Sequence, residues 1–409
     1  MRILIVAGGP RDGHSGYRHR TLQMASELAR QNHSVWLLWY FPLYRLFKPH
    51  DLRHYTAFKT IGIPALPFFF HPLVSPLARV LCRMFTKLVL CLLRCDAVQF
   101  EGVLGIVTGI PSTKIIIDCH GDPLEEHILN GFSPWKLRQA RRDYARAISK
   151  ADGIVTVSER LREKLLDAAK DRHPASVVAP CGVDLKTFGT HGKVRDAIRR
   201  ELGMEQRIVF CYLGGLQNYQ CVPETLRLLA KLRSIDPRIA LLLLTEENTA
   251  AFSSELAAIG EMGRDVICRS ASHGEVPRLL GAADIGLLLR AETEVNAVSS
   301  PTKCGEYLAA GVPVLTTQYA GDAPAIIRAE QCGMVLLQPL PSAEEIRNII
   351  DLIESVNSCR TTWAERCQSA AARHRSWDVS GCAVQRLYAE VSRVGAEHPR
   401  AASQTTSTY

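Results

Sequence analysis

A lysine in the first turn of a short predicted helix is the feature of this sequence with the clearest chemical consequence. In the stretch "SSPTKCGEYLAAGVPVLTT", Ser300 can cap a helix, Pro301 suits the first helical position, and Gly311 ends the helix before an apolar strand. Because a helix N-terminus carries about half a positive charge, a cation there costs on the order of 0.3 to 1 kcal/mol. Lys303 occupies that unfavourable position, and an anionic ligand would remove the conflict.

The elements that position this lysine belong to a chain of two predicted domains. The 409 residues are 47% hydrophobic and 22% charged, which suits ordinary globular domains of roughly 100 to 200 residues each. The apolar run at the start is too short for a signal sequence, and no stretch reaches the roughly 18 apolar residues of a membrane span. We therefore expect a cytoplasmic protein.

The net charge and the cysteine content limit which partners and metal sites the sequence predicts. The net charge of +8 allows nucleic acid, an anionic membrane surface or a phosphate-bearing ligand, but no basic run with interleaved aromatics occurs, so nucleic acid is not an expected partner. The 13 cysteines are odd in number and include no Cys-x-x-Cys pair, which favours reduced thiols and argues against a structural metal.

Two α/β units follow one another along the chain. The first begins with the buried strand and glycine loop "RILIVAGG", a helix over 15–31 and the strand "SVWLLW"; the second begins with "RIVFCYLGGLQ" after a polar linker near 185–206. Both patterns predict doubly wound parallel sheets facing across a cleft. Ligands of such sheets bind beyond the carboxyl ends of the strands, so the loops there are expected to carry the chemistry.

Four ordered stretches resemble a known family. The stretches "VVAPCGVDLKTF", "EVPRLLGAADIGLLLR", "SSPTKCGEYLAAGVPVL" and "RSWDVSGCAVQRLYAEV" resemble the retaining family 4 glycosyltransferases of GT-B fold, in particular a subgroup with Ser-Pro-Thr-Lys in this loop. The resemblance implies a nucleotide-sugar donor held by the second domain, an acceptor held by the first, and no essential metal or other cofactor. The absence of an Asp-x-Asp triplet agrees with transfer that needs no metal.

The resemblance also implies the domain boundaries. Residues 1–185 would form the acceptor-side domain, 186–374 the donor-binding domain, and 375–395 a last helix that packs back on the first domain. The small polar residues of 396–409 are expected to form a disordered tail.

At the donor site, the family's ribose-binding glutamate falls on Glu306, and a carboxylate can accept from two vicinal hydroxyls. A second family glutamate, eight positions earlier, is replaced by Val298. Lys303 and the amides of Thr302 and Lys303, with Ser300 at the helix start, would bind the donor diphosphate. The alternatives are that Glu306 and Lys303 are solvent-facing helix residues.

Two cations common in the family after the first strand of the second domain are missing, because Gly215 and Gln220 stand at those places. Neutralising the leaving diphosphate would then fall to Lys303, aided by Arg290, or activity would be weakened. Arg290 is equally well explained as a surface residue at a strand end. Gly214 and Gly215 would let the backbone approach the phosphates, although glycine there also serves turn geometry.

In the first domain, His120 in "IIIDCHGDP" matches the family histidine that contacts the donor sugar. We expect a neutral imidazole that donates to a sugar hydroxyl, with a structural histidine as the alternative. Asp118 and Asp122 are weaker candidates, because an aspartate at a strand end often caps the next segment. The glycine loop resembles the one that lies against the acceptor in the family; the residues that we assign to acceptor binding are Gly8, Gly9, Arg11, His14, Gly16 and Tyr17.

The function implied is retaining transfer of a hexosyl-type sugar to a glycan or lipid-linked acceptor, in cell-surface polysaccharide or glycolipid synthesis. No carboxylate is forced by spacing to act as a nucleophile, which favours same-face attack with Lys303 as the chief electrostatic group. The alternatives are a catalytically degenerate binding protein and a nucleotide-sugar epimerase or hydrolase. Residues 63–95 mix leucines and aromatics with basic residues, and either lie on the cytoplasmic face of an anionic membrane or pack in the core.

Overall fold

The computed structural model describes residues 1–9, 16–45, 56–66, 72, 74–102, 104–170, 172–189 and 194–397. The predicted acceptor residues Arg11 and His14, and residues 398–409 of the predicted tail, lie outside these ranges.

The first sheet has seven parallel strands in the order β3-β2-β1-β4-β5-β6-β7. Residues Ile3 to Ala7, in an interior strand of this sheet, are fully buried, and alternate side chains enter hydrophobic clusters on opposite faces of the sheet, as expected for a parallel sheet covered on both sides. The strands are β1 (Arg2–Gly8), β2 (Ser34–Pro42), β3 (Lys59–Ala65), β4 (Ala97–Glu101), β5 (Lys114–Cys119), β6 (Gly153–Thr156) and β7 (Ala175–Val178).

Within the described ranges, five α-helices lie between these strands, although no α-helix is described between β2 and β3 or between β4 and β5. They are α1 (Gly16–Arg30), α2 (Val74–Leu93), α3 (Pro123–Leu129), α4 (Pro134–Lys150) and α5 (Glu159–Ala169). Helix α3 begins at Asp122, whose carboxylate accepts hydrogen bonds from the amides of Leu124 and Glu125 at 2.8 and 3.3 Å. Asp122 is therefore a helix cap, which is the structural role that the sequence left open.

The predicted linker contains short helices rather than an extended segment. Along the chain, helices α6 (Leu185–Phe188) and α7 (Arg195–Leu202) follow the last strand of the first sheet and precede the first strand of the second. The guanidinium groups of Arg195 and Arg199 both bind the buried carboxylate of Asp284, which fixes α7 to the second unit.

The second sheet has six parallel strands in the order β10-β9-β8-β11-β12-β13. Its strands are β8 (Ile208–Leu213), β9 (Ile239–Leu244), β10 (Val266–Arg269), β11 (Ile285–Leu288), β12 (Val314–Thr317) and β13 (Gly333–Leu336). Its helices are α8 (Val222–Ile235), α9 (Ser253–Ile259), α10 (Val276–Leu280), α11 (Glu294–Ala297), α12 (Thr302–Ala309), α13 (Ala323–Glu330), α14 (Ala343–Ser358) and α15 (Arg360–His374). The two sheets make the α/β architecture of two Rossmann-like units that the sequence predicts.

The chain crosses between the two units at adjacent places. The amide of Val183 donates to the carbonyl of Arg375 at 2.6 Å. The segment that leaves the first unit therefore contacts the segment that returns to it. The last helix, α16 (Trp377–Glu397), then packs against α1 and β7 of the first unit. Because α16 includes Ala396 and Glu397, the predicted tail is wrong at its first two residues.

Two further findings bear on earlier expectations. All 13 cysteines are free thiols, ten of them at least partly buried, as the sequence predicts. Within the described ranges, no helix is long and apolar enough to cross a membrane.

Candidate active site

A cleft at the carboxyl ends of the second sheet's strands holds most of the predicted donor site. It encloses about 930 Å³ of empty space, solvent at its mouth included. The predicted residues that line it are Gly16 from the first unit and Gly214, Gly215, Thr302, Lys303 and Glu306 from the second. Ser300, Arg290, His120, Gly8, Gly9 and Tyr17 do not line it.

The N-terminal end of helix α12 forms one wall of this cleft. Pro301, not Ser300, precedes the first helical residue, and its side chain offers no cap to the opening amides. The amides of Thr302 and Lys303 have no acceptor inside the helix and are available to a ligand, whereas the amide of Cys304 donates to the carbonyl of Pro301 at 3.1 Å. The Lys303 ammonium lies 2.9 Å from the Glu306 carboxylate, which is buried while the lysine remains partly exposed. The charges of the two predicted donor residues therefore neutralise one another.

Ser300 differs from its prediction as a helix cap. Its hydroxyl accepts from the amide of Cys181 at 3.2 Å and from the guanidinium of Arg375, and it donates to Asp322 at 3.0 Å. The Ser300 hydroxyl therefore makes three hydrogen bonds where the two units meet. The hydroxyl does not cap the helix, because the helix begins one residue later than the sequence indicates. Ser300 can support the donor site only through its position.

Helix α12 is held in place by a buried tyrosine. Tyr307 is fully buried, and its hydroxyl donates towards the carbonyls of Cys211 and Leu287 at 3.0 and 3.3 Å. The ring packs so closely on β11 that a Cβ at Gly286 would lie 2.6 Å from it. This contact ties the helix that carries Lys303 and Glu306 to two central strands.

The glycine loop after β8 forms the opposite wall. Gly214 has φ of +152°, and a Cβ on Gly215 would meet Gln217 and Glu247 at 2.5 and 2.6 Å. The Gln217 amide donates to the Glu247 carboxylate at 2.9 Å. A hydrogen-bonded amide and carboxylate therefore lie beside Gly215, the position where the family resemblance implies an arginine.

Arg290 is a buried cation behind this loop, not the surface residue that the sequence offered as an alternative. The residue is 8% exposed, and its guanidinium donates to its own chain at the carbonyl of Leu289, 2.9 Å away. Burial lowers its pKa, and the groups that oppose this shift are the phenols of Tyr212, Tyr307 and Tyr219 and the thiol of Cys221. Among the described residues no carboxylate forms an ion pair with Arg290.

His120 lies in a separate cluster at the carboxyl ends of β4 and β5. Its Nε2 is 2.9 Å from Glu101 and 3.6 Å from Asp118. Burial alone would lower its pKa, but these two carboxylates raise the pKa to about 9. The expectation of a neutral imidazole is therefore wrong, since the ring is protonated at neutral pH; its buried Nδ1 has no hydrogen-bond partner.

The three groups of this cluster, Glu101, Asp118 and His120, lie close enough to hold a metal ion. The fit is poor because the carboxylates are already occupied. Arg20, fully buried, donates to both oxygens of Asp118 at 3.0 and 3.2 Å, and Gln99 donates to Glu101 at 2.5 Å. Two cations therefore balance two carboxylates without an added ion.

Of the predicted acceptor residues that the structure describes, Tyr17 lies next to His120. The Tyr17 hydroxyl donates to the carbonyl of Glu101 at 2.5 Å and accepts from the amide of Gly8 at 3.2 Å. Tyr17 therefore ties the end of β1 to β4, and only its ring, 5.3 Å from the imidazole of His120, is left to face a ligand. A Cβ at Gly9 or Gly16 would meet nothing within 4 Å, so both glycines border open space.

Two histidines that the sequence analysis missed face each other across the cleft. His19 of α1 and His273 of the second unit have ring centroids 4.6 Å apart, and both line the cavity. Burial, followed by the nearby His273, lowers the pKa of His19 to about 4, so His19 is neutral at pH 7. His19 lies one helical turn beyond the glycine loop, and that position could have marked it.

Three polar residues at the end of β9 were also missed. Thr245, Glu246 and Glu247 line the cleft directly after the strand that ends at Leu244. The rule that loops beyond the carboxyl ends of parallel strands carry ligands would have identified them, had it been applied to the run "LLLLTEEN".

Two facing Rossmann-like units with a polar cleft between them define a GT-B type of protein. The sequence matches Glycosyltransferase Family 4 over residues 15–187 and Glycosyl transferases group 1 over residues 194–370. The chain therefore belongs to the family 4 glycosyltransferases of GT-B fold. No curated protein matches this chain in sequence.

Solved structures share this fold at low sequence identity. WaaG, a glycosyltransferase involved in lipopolysaccharide biosynthesis, has a TM-score of 0.68 and 16% identity, with 94% of this chain and 99% of that chain covered. Sucrose-phosphate synthase from Thermosynechococcus elongatus has a TM-score of 0.71 and 14% identity over 96% and 100%. Anabaena HepE in complex with UDP has a TM-score of 0.68 and 15% identity over 95% and 100%.

Proposed function

We propose that this glycosyltransferase moves a hexosyl group from a nucleoside-diphosphate sugar to a glycan or lipid-linked acceptor, with retention of anomeric configuration. The observation that carries the proposal is the grouping of Lys303, Glu306, the open amides of α12 and the Gly214–Gly215 loop in one cleft. Cell-surface polysaccharide or glycolipid synthesis on the cytoplasmic side of the membrane is the role we propose for it.

Donor binding in this proposal exchanges one ion pair for two ligand contacts. The Lys303 ammonium lies 2.9 Å from the Glu306 carboxylate in the structure. When the donor binds, this ammonium moves to the donor phosphates. The freed Glu306 carboxylate then accepts hydrogen bonds from the two ribose hydroxyls. The amides of Thr302 and Lys303 add donors aligned with the helix dipole, and Ser300 holds the turn in place.

Arg290 supplies the second positive charge in this scheme. It is buried without a carboxylate partner behind the glycine loop, and its electrostatic neighbours include Tyr212, which hydrogen-bonds the carbonyl of Gly215 at 2.5 Å. A buried cation strengthens the potential felt by an anion in a site of low dielectric constant. Arg290 thus compensates in part for the arginine and lysine that relatives carry near Gly215 and Gln220.

The chemical step in the proposal is attack of the acceptor hydroxyl on the face that the diphosphate leaves. The glycosidic bond to the leaving phosphate oxygen breaks, the acceptor oxygen bonds the anomeric carbon, and its proton passes to the departing phosphate. Lys303 and the helix amides stabilise the charge that develops on the diphosphate. His120, protonated, would donate to a sugar hydroxyl and orient the anomeric carbon through its unpartnered Nδ1, which is buried in the structure and has to become accessible when the sugar binds. The ring of Tyr17 and the loop of Gly8, Gly9 and Gly16 would border the acceptor.

The proposal assigns no metal and no other cofactor to this reaction. Its support is that the charge on the diphosphate can be met by Lys303, Arg290 and backbone amides. Activity that survives prolonged treatment with EDTA is the expected result, and activity that is lost and restored by a divalent cation contradicts this part of the proposal.

Calorimetric titration with a panel of nucleoside diphosphates tests the donor site. UDP is the first member, because the Anabaena HepE structures contain UDP and UDP-glucose. Since a charge-assisted hydrogen bond contributes about 1.5 to 3 kcal/mol, Lys303→Ala should raise Kd by about 10- to 100-fold. Glu306→Ala should weaken nucleoside diphosphates but not inorganic pyrophosphate. Lys231→Ala, at an exposed lysine of α8, is the matched control and should leave Kd unchanged.

Two other functions are distinguished by further results. A wild-type chain with no affinity for any nucleotide in the panel would favour a catalytically degenerate binding protein, which the missing family cations and the replacement of a glutamate by Val298 make worth testing. Product analysis with a labelled donor separates the rest: a new glycoside supports transfer, free sugar supports a hydrolase, and an isomerised nucleotide sugar supports an epimerase.

A further inference from the structure

Helix α2 of the first unit has its polar residues turned inward. Arg79 is 2% exposed and pairs with the buried Asp143 of α4 at 3.2 Å, and Thr86 hydrogen-bonds the hydroxyl of Tyr40 at 2.8 Å. The Tyr40 hydroxyl also donates to the carbonyl of Cys82 at 2.8 Å. These contacts fix the rotation of α2 about its axis, so its outward face is defined by polar bonds on the inward face.

The outward face of α2 is apolar. Seven large hydrophobic side chains on it are more than two-fifths exposed: Leu77 58%, Val80 46%, Leu81 42%, Met84 62%, Phe85 45%, Leu88 53% and Leu92 72%. Side chains at this spacing line one side of a helix. Together they expose several hundred Å² of contiguous apolar surface, which marks an interaction site in a protein of this kind.

A cluster of cations borders this apolar face. Lys87 projects from α2, and Arg146 and Lys150 lie one helical turn apart on the neighbouring α4. Arg83, one turn before Lys87, is partly buried and donates to the carbonyl of Gly105 at 2.6 Å. Burial lowers the pKa of Lys150, and Arg146, Arg83 and Lys87 lower it further, which shows that the four charges are close together. The sequence of α2 contains no acidic residue, and the single acid of α4, Asp143, is already paired with Arg79.

We propose that α2 and the cation cluster form a surface that docks on a lipid bilayer containing anionic phospholipids. The apolar side chains would enter the boundary between headgroups and acyl chains, while Lys87, Arg146 and Lys150 bind headgroup phosphates. The helix of 20 residues, about 30 Å long, would lie in the plane of the membrane.

Charge decides between a bilayer and a second copy of this chain. A symmetric dimer through α2 would place the same cation clusters beside one another across the two-fold axis, where repulsion opposes association. An anionic bilayer presents the opposite charge over an extended area. The membrane surface is therefore the occupant that complements both the apolar face and the cations around it.

This proposal concerns where the protein acts and does not depend on the donor site. Vesicle flotation of the full chain tests it directly, with vesicles of phosphatidylcholine alone and of phosphatidylcholine mixed with phosphatidylglycerol. We expect the wild type to float with the anionic vesicles, to float weakly with the neutral ones, and to be released by high salt.

Variants with matched controls locate the surface. Met84→Gln with Leu88→Gln should reduce binding to anionic vesicles by at least about tenfold, since each buried side chain contributes about 1.5 to 3 kcal/mol. The control is Leu337→Gln with Ile235→Gln, at side chains 61% and 53% exposed compared with 62% and 53% for Met84 and Leu88. Lys87→Glu should weaken binding to anionic vesicles, and Lys231→Glu should not.

The outcomes are exclusive. Absence of wild-type binding to both kinds of vesicle, or equal loss of binding in the Met84/Leu88 variant and its control, overturns the proposal. A wild type that is a dimer by light scattering, and a Met84/Leu88 variant that is a monomer, would assign the face to self-association instead. Nucleotide affinity, measured on the same variants, should remain unchanged, so failure here is distinct from failure of the donor site.

Discussion

Single residues at this site take their properties from burial and from neighbouring charges. Lys303 is at an electrostatically unfavourable helix position, and Glu306 relieves that conflict through a contact of 2.9 Å. In the proposed complex, a donor phosphate would replace Glu306 as the partner of Lys303.

His120 gives a pH prediction. Its folded pKa of about 9 lies above the ordinary value of 6.5, so the cluster with Asp118 and Glu101 contributes stability that is fully present below pH 6.5 and is lost as the pH rises through 9. The contribution is on the order of 3 kcal/mol as an upper bound. Urea unfolding of the wild type and of His120→Gln should therefore give free energies that differ most near pH 6 and converge towards pH 9.

Direct titration of the ring is the control for this prediction. The imidazole signals in NMR spectra of the wild type should move with a midpoint well above 7, and Glu101→Gln should lower that midpoint. A midpoint near 6.5 would mean that the carboxylates do not hold the proton, and the assignment of a charged donor at this position would then be wrong.

At the scale of elements, the position of α12 depends on one close contact between a helix and a strand. Gly286→Ala should destabilise the protein by about 1 to 3 kcal/mol, because the new methyl group would lie 2.6 Å from the buried ring of Tyr307. Gly274→Ala is the matched control, since a Cβ there meets nothing within 4 Å. Thermal unfolding of both variants measures the difference.

Gly286→Ala should also change the affinity for the nucleotide. A displaced Tyr307 moves α12, so Gly286→Ala should weaken nucleotide binding while Gly274→Ala leaves it unchanged. Equal melting temperatures for the two variants would show that β11 and α12 can separate without cost, and that the contact does not position the site.

The elements themselves were largely predictable, for a physical reason. Buried parallel strands such as β1 and β9 are continuous apolar runs, and helices such as α1 and α8 show regular apolar spacing between clear start and stop residues. The strands β3 and β13 were not identified, because Gly62 and Pro64 interrupt the apolar pattern of β3 and the four residues of β13 begin with Gly333. The amphipathic pattern in 63–95 was visible, but which face of α2 points outward depends on the pairs Arg79–Asp143 and Tyr40–Thr86.

The local elements of the site could be predicted from the sequence, but the contacts between its side chains could not. The helix opening at Thr302 and the glycines after β8 follow from local sequence. The one-residue shift of the helix start, which gives the hydroxyl of Ser300 to Arg375 and Asp322, depends on contacts between residues far apart in the chain. The charge on His120 and the pairing of His19 with His273 depend on such contacts too.

At the scale of the whole molecule, Arg375 joins the two crossings of the chain. Its buried guanidinium binds Ser300 and, at 2.5 Å, Asp322, while its carbonyl accepts from the amide of Val183. Arg375→Met should cost about 3 to 5 kcal/mol, because Asp322 and Ser300 lose a buried partner. Arg373→Met, which breaks the exposed pair with Glu330, should cost less than about 1 kcal/mol.

Chemical denaturation of these two variants tests whether the crossing holds the units together. The Arg375 variant should also show faster proteolysis near 180–184 and 375–377, where the two units meet. Indistinguishable unfolding of the two variants would contradict the role assigned to Arg375.

The central claim is that the donor diphosphate binds where Lys303 meets the opening amides of α12. A crystal structure of the protein with the nucleoside diphosphate that binds most tightly tests this directly. We predict phosphate oxygens within hydrogen-bond distance of the Lys303 ammonium and of the amides of Thr302 and Lys303, with Glu306 on the ribose hydroxyls. A nucleotide bound elsewhere, with Lys303 still paired to Glu306, would contradict the account.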